Sequence, residues 1–158
     1  MSDYINYIRG LVGGKRVILV GASVLICKGG KMLMQKRLDD GNWMCTSGGY
    51  MELGETTEDA AKRELFEETG LIANSLELLG VFSGEALFHT YPNGDEVAIV
   101  DVAYLCEDYS GQISPQADEV AKMQWFDINE MPKNLSAPSA ANIKKCIEVL
   151  KQRGVNKC

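Results

Sequence analysis

Three glutamates, Glu64, Glu67 and Glu68, stand at i, i+3 and i+4 in the chain, the spacing that puts side chains on one face of an α-helix. Carboxylates crowded in this way repel one another, so a cation belongs among them. Oxygen donors on a rigid element suit a hard divalent ion such as Mg²⁺, which keeps several waters and reaches its sites together with substrate phosphates. Neither His nor Cys lies nearby to favour zinc. Glu55, nine residues before Glu64, can reach the same face from the preceding turn, and Gly48, Gly49 and Gly54 let that turn bring backbone carbonyls close. The stretch Gly49–Leu71 holds seven acids and two bases, a local charge of -5 in a chain whose net charge is -6. An acidic helix face by itself is more often a solvated surface than a metal site, so the wider spacing has to decide.

The element that must carry these carboxylates is a helix predicted over Thr57–Thr69. Thr57 is placed to cap it, Glu58 and Asp59 fall in the first turn where the macrodipole favours acids, and Gly70 follows as the C-terminal stop. Before it, Val17–Cys27 reads as a strand, Gly29-Gly30 as a hairpin turn and Lys31–Arg37 as the returning strand. Asp39–Gly49 reads as loop. After the helix, Leu76–Phe82 and Glu96–Leu105 read as strands joined through Tyr91-Pro92-Asn93-Gly94, Lys122–Phe126 as a short strand, and Ser139–Gln152 as a last helix with Ile143, Ile147 and Leu150 on one stripe. Ser2–Leu11 has Tyr4, Ile5, Ile8 and Leu11 at helical spacing with Ser2 placed as its cap, and it would pack on its own sheet or across a homodimer. Strands outnumber helices and do not alternate with them, which predicts an α/β fold with a mixed sheet flanked by helices. With 158 residues, a single domain over 1–158 is expected, with residues 1–14 appended.

The acidic balance, 22 Asp and Glu against 16 Lys and Arg, opposes gripping a nucleic-acid backbone or an anionic membrane, so neither DNA nor membrane is expected as a partner. The longest uncharged runs, Val17–Cys27 and Gly41–Met51, fall well short of the ~20 residues that span a bilayer. Met1-Ser2-Asp3-Tyr4 lacks the basic-then-apolar order of a secretory signal, so a cytoplasmic protein is expected. Five cysteines without a C-x-x-C pair predict reduced, mostly buried thiols. Neither G-x-G-x-x-G nor G-x-x-x-x-G-K-[ST] occurs, which excludes those two phosphate-binding loops.

From Gly49 onward the chain gives G-x5-E-x7-R-E-U-x-E-E-x-G-U, with U a bulky aliphatic residue: Gly49, Glu55, Arg63, Glu64, Leu65, Glu67, Glu68, Gly70 and Leu71. This resembles the Nudix box of the MutT/Nudix hydrolases with every defining position filled. Weaker likeness extends to the hairpin before the box, Trp43, the Tyr91–Glu96 turn, and Trp125-Phe126 followed by Glu130-Met131-Pro132. The stretch between Trp43 and Gly48-Gly49 lacks the Pro that many relatives carry there. The resemblance implies a Nudix-like α/β/α sandwich and divalent-metal-dependent hydrolysis of a diphosphate linkage in a nucleoside diphosphate joined to another group, whether a triphosphate, ADP-ribose or a nucleotide sugar. Its metal would be Mg²⁺, with Mn²⁺ possible.

Carried onto this chain, the resemblance implies that Glu64, Glu67 and Glu68 bind the metal, with Gly48 or Gly49 donating a carbonyl. Arg63 would hold a neighbouring glutamate, and Glu55 would be either a ligand or the partner of Arg63. Water attacking phosphorus needs a base to take its proton. Glu64, Asp118 and Glu119 are the candidates, Glu119 foremost among the loop acids. Arg37 would meet a phosphate, and Trp43 and Tyr50 would stack on a base. His89, the only histidine, is read as structural. The alternative is a domain that senses a nucleotide without turnover. Isomerase chemistry on isoprenoid diphosphates is a lesser third, because no Cys or His stands near the box as an acid-base pair.

Overall fold

The computed structural model describes residues 3–154. In chain order the elements are α1 (Asp3–Val12), β1 (Val17–Lys28), β2 (Lys31–Arg37), β3 (Trp43–Met44), β4 (Ser47–Tyr50), α2 (Thr57–Thr69), β5 (Leu71–Ala73), β6 (Glu77–Phe82), β7 (Phe88–Thr90), β8 (Glu96–Cys106), β9 (Tyr109–Gly111), β10 (Val120–Asp127) and α3 (Ala137–Gln152). The main sheet runs β10-β2-β1-β8-β6, with β3 on β2, β4 on β1 and β7 on β8, while β5 and β9 pair separately. β1 and β8 are parallel from Val17/Val97 to Ile26/Cys106, and the other strand pairs are antiparallel. The expected mixed sheet is therefore present.

Strand alternation sorts the core into two layers. Leu25 and Cys27 of β1, Met32 and Met34 of β2, and Ala103 and Leu105 of β8 pack with Ile143, Cys146 and Leu150 of α3. The intervening Ala22, Val24, Ile26, Leu33, Tyr104 and Cys106 pack with Ala60, Ala61 and Leu65 of α2. From Gly21 to Cys27 both faces of β1 are covered, which is why this part reads as a nearly continuous run of small and apolar residues, Ser23 apart, whereas Ile18 and Val20 before it are exposed. Parity also decides where the few polar residues of these strands point. Ser23 and Asp101 face α3, and Gln35 faces α2.

Several expectations shift. Thr56, not Thr57, caps α2: its Oγ1 accepts from the Asp59 N–H at 3.1 Å. Gly70 ends the helix as expected, at φ 73° in the left-handed region. The segment read as loop contains two short strands, and Gly48-Gly49 lies in β4, in register with Ser23 and Ala22. β7 forms the hairpin with β8 through the Tyr91–Asp95 turn, whereas β6 pairs farther along β8. α1 packs on its own sheet, Ile5 against Leu19 and Val97. The expected Ser2 cap and Cys158 lie outside the described residues. Cys27, Cys45, Cys106 and Cys146 are buried and free, and burial pushes the Cys45 thiol up to about 12 and Cys106 to about 11. Such thiols are unreactive. Among the described residues no helix is long and apolar enough to cross a membrane.

Candidate active site

α2 is anchored on the sheet by Leu65, which is fully buried, and this leaves its acidic face over β4. Side chains of any size on β4 would stand in the way there. Gly49 resolves the conflict, since a Cβ built on it would fall on the Glu64 carboxylate. Glu64, Glu67 and Glu68 consequently line one cleft of about 960 Å³, together with Gly48, Gly49 and Arg63.

Arg63 organises the acids. Its Nε and Nη2 donate to the two oxygens of Glu55 at 2.6 and 3.0 Å, a bidentate pair. Nη1 donates to Glu64 Oε1 at 2.6 Å and Glu67 Oε2 at 3.2 Å, and Nη2 also reaches the Tyr50 carbonyl at 3.1 Å. The Glu55 bonds, ahead of those to Glu64, raise the guanidinium's proton affinity despite partial burial. Glu55 itself, held by Arg63, sits below the ordinary carboxylate range. It also accepts the Glu52 N–H at 2.8 Å and does not line the cleft. Of the two roles expected for Glu55, the structure shows the partnership with Arg63.

Glu68 is in a different state. It is 7% exposed, and its Oε2 accepts from Gln35 Nε2 at 3.0 Å and the Gly48 N–H at 3.3 Å. Burial, followed by the charge of Glu64, pushes its carboxyl up to about 8. Glu64 is raised as well, by burial first, with Arg63 opposing. Glu119 lies on the exposed loop before β10, which Leu38 N–H fastens by donating to the Glu119 carbonyl at 3.2 Å. It lines the cleft, and its negative charge raises both Glu64 and Glu68. Asp118 lines the cleft beside it.

The expected substrate contacts divide. Tyr50 lines the cleft and bonds its phenol to that of Tyr91 at 2.8 Å, and burial raises its proton affinity. Arg37 also lines the cleft, but its guanidinium is paired with Asp39, with Asp40 3.5 Å away. Trp43 is a correction. It is 8% exposed, meets Phe126 edge-on at 4.7 Å between centroids, and belongs to the core beneath α3 rather than to the cleft. Main-chain bonds from Trp43 N–H to Asn134 O and from Ser136 N–H to Trp43 O fix it there. His89 stands edge-on to Tyr91 at 4.6 Å, and burial holds it below its usual pKa.

Sequence reasoning missed a second polar group. Ser23 Oγ donates to Asp101 Oδ2 at 2.8 Å, and Asn142 Nδ2 donates to both, at 3.1 and 2.9 Å. These three line a recess of about 130 Å³ that shares Gly48, Gly49, Tyr50 and Tyr91 with the cleft. The available signal was a serine and an aspartate interrupting apolar strands. Gln35, the neutral partner of Glu68, was missed for the same reason.

Among the described residues no three carboxylate, thiol or imidazole groups converge as a closed metal cage, because Arg63 draws Glu64 and Glu67 to itself and Gln35 holds Glu68. The donor chemistry nevertheless fits a hard cation. Glu64, Glu67, Glu68 and Glu119 all line the cleft, and among the described residues no thiol or imidazole lines it.

The fold is a mixed α/β sandwich in which one helix presents several carboxylates to a cleft and a single arginine braces them. The chain belongs to the NUDIX family: the NUDIX domain model matches residues 17–147. It is 34% identical over 116 residues to the ADP-ribose pyrophosphatase of Methanocaldococcus jannaschii, covering 72% of this chain and 64% of that protein. It is 34% identical over 113 residues to the oxidized purine nucleoside triphosphate hydrolase of Danio rerio, covering 69% and 66%. The matched stretch thus spans less than two-thirds of each relative's length. The crystal structure of a MutT NUDIX hydrolase from Burkholderia pseudomallei superposes with a TM-score of 0.69 at 25% identity, covering 82% of this chain and 98% of that one.

Proposed function

We propose that the protein hydrolyses a diphosphate linkage in a nucleoside diphosphate joined to a second group, in a reaction that depends on a divalent metal, Mg²⁺ or Mn²⁺. The observation that carries this reading is the gathering of Glu64, Glu67, Glu68 and Glu119 on one cleft, with Arg63 and Glu55 bracing the first two. Relatives named as an ADP-ribose pyrophosphatase and a nucleoside triphosphate hydrolase support it.

Glu64, Glu67 and Glu68 would hold the metal, with a Gly48 or Gly49 carbonyl beside them. When bound, the metal supplies charge neutralisation for the phosphate oxygens and a lowered pKa for water. The chain's own residues do the rest. Arg63 fixes Glu64 and Glu67 through Nη1, while its Nε and Nη2 anchor the guanidinium to Glu55 and the Tyr50 carbonyl. Gln35 and the Gly48 N–H orient Glu68. Glu119, exposed and on a loop, can accept the proton of an attacking water, with Glu64 as the alternative base. Arg37 offers a cation to the phosphates from a wall otherwise rich in acids.

The test is phosphate release, with a coupling pyrophosphatase or phosphatase, over nucleoside triphosphates, ADP-ribose, nucleotide sugars and dinucleoside polyphosphates, with Mg²⁺ or Mn²⁺ and with EDTA. Turnover abolished by EDTA and by Glu68→Gln, and lowered by Glu67→Gln, is expected. No turnover on any compound, with nucleotide binding still visible by thermal shift, would replace this reading with nucleotide sensing.

A further inference from the structure

The main sheet carries an apolar face that none of the described helices covers. Even-numbered positions of β1 and β8 point to the side of α2, and the helix packs there over Ala22, Val24, Ile26, Tyr104 and Cys106. Toward the N-terminal ends of both strands the same face runs out from under it. Ile18, Ala98 and Phe88 stand in one row across β1, β8 and β7, and Val20 and Val100 in the next. Val102 and Val81 follow, with Leu78 of β6 beside Tyr104. Ile18, Val20, Leu78, Val81 and Phe88 are 40–73% exposed, and Ala98, Val100 and Val102 between them are half-buried. α1 does not reach this face, because Ile5 packs on Leu19 and Val97, whose side chains point to the opposite side. None of these eight residues lines the cleft.

Side chains of this size carry roughly 60–120 Å² of apolar surface each, so the five most exposed present on the order of 300 Å² in one contiguous patch. That matches the apolar centre of a standard interface, which buries about 800 Å² per partner inside a polar rim. Arg16, 4.4 Å over the Phe88 ring and paired with Glu96 at 3.0 Å, supplies such a rim at one end. None of the eight positions bears a charge or a hydrogen-bonding side chain, so the face holds nothing that selects a polar partner. The chain's net charge of -6 opposes an anionic membrane surface. An aliphatic sheet face is, however, its own complement. Two such faces stack about 10 Å apart with their side chains interleaved, and a two-fold axis buries patch against patch without a second kind of surface. We propose that this face joins two copies of the chain in an isologous homodimer. The proposal is independent of the hydrolytic reading above.

The test is sedimentation velocity with light scattering on the full chain, over a concentration series spanning the micromolar range. Twice the mass of one chain, with dissociation on dilution, is expected. Val81→Lys and Ile18→Lys each place a charge in the interface twice, once from each copy, and each is expected to raise the dissociation constant about 100-fold or more. Both positions are exposed in the single chain, so circular dichroism is expected to show folding retained. Val81→Thr keeps the β-branched shape and adds only a hydroxyl. It should weaken association about tenfold, and it keeps the test open if a lysine variant does not fold. Leu11→Lys, at an exposed apolar position of α1, is the control and should leave association unchanged. A monomer throughout the series overturns the proposal. So does a dimer that Leu11→Lys disrupts and Val81→Lys does not, which would move the contact to α1. Binding to phosphatidylcholine vesicles by a chain that stays monomeric would overturn it as well, by giving the face to a lipid surface.

Discussion

Glu68 makes the stability of the metal-free chain depend on pH in a direction that can be worked out. Burial, which penalises the charge, pushes its carboxyl up to about 8 in the folded chain, against an ordinary value of 4.5. A carboxyl that holds its proton more tightly in the folded state contributes stability that is full below about pH 4.5 and is lost as pH rises toward 8. One such group gives a slope of at most about 1.4 kcal/mol per pH unit. Between about pH 5.5 and 7.5 the loss is on the order of 2–3 kcal/mol, which for a chain of this size is roughly 5–10 °C in Tm.

Other groups titrate in or near that window with other signs. Burial lowers the His89 pKa, so its contribution rises as pH climbs toward the unfolded histidine value. Glu55 is lowered by Arg63, and its contribution disappears only as pH falls below the ordinary carboxylate range. Both persist in Glu68→Gln, so the difference between the two chains isolates Glu68 together with the Glu64 charge coupled to it. Melting followed by circular dichroism at several pH values in EDTA is expected to give a Tm that falls with pH more steeply in the native chain than in Glu68→Gln. Parallel curves would refute the burial argument.

Further substitutions address the remaining parts of the site. Arg63→Lys keeps a charge but cannot hold Glu55 bidentately while reaching Glu64, Glu67 and the Tyr50 carbonyl, so kcat/KM is expected to fall about 10- to 100-fold, and an unchanged value would show the fork to be dispensable. Gly49→Ala places a methyl where the Glu64 carboxylate lies. A large loss of turnover with little change in Tm is expected, since the flexible Glu64 side chain can swing away while the sheet stays paired. Trp43→Ala should cost stability, about 3–5 kcal/mol for a buried aromatic, and leave KM unchanged. A raised KM with an unaltered Tm would return Trp43 to the substrate side.

What could be read in advance follows from how local each feature is. Glu55, Arg63, Glu64, Glu67 and Glu68 lie on one helix and the turn before it, so spacing alone placed them together. Gln35, Ser23, Asp101 and Asn142 come from β2, β1, β8 and α3 and meet only after the sheet is assembled. Strand parity assigns Ser23 and Gln35 to opposite faces, but it does not name the partners waiting there. Trp43 was misread because its direction is set by main-chain bonds to Asn134 and Ser136, about ninety residues away. Gly48-Gly49 looked like loop because glycine is a poor strand former. The strand exists there because β1 pairs with it and because only the absence of side chains admits Glu64.

If the three helix glutamates hold a metal as proposed, the bonding pattern ranks them. Glu64 and Glu67 already share the guanidinium of Arg63, so a divalent ion has to compete with that cation for them. The hydrogen bonds of Glu68 come from neutral donors, a side-chain amide and a peptide N–H, and it is the most deeply buried of the acids on α2. An ionised carboxylate so placed gains most from a cation, because burial weakens solvent screening and nothing positive has yet claimed it. Mn²⁺ affinity, followed by electron paramagnetic resonance, should therefore fall furthest in Glu68→Gln, less in Glu64→Gln and least in Glu67→Gln, whose side chain is 53% exposed. Equal losses at all three positions would show that the ion strips Arg63 from its partners at no cost, and that the arginine braces the site only until metal arrives.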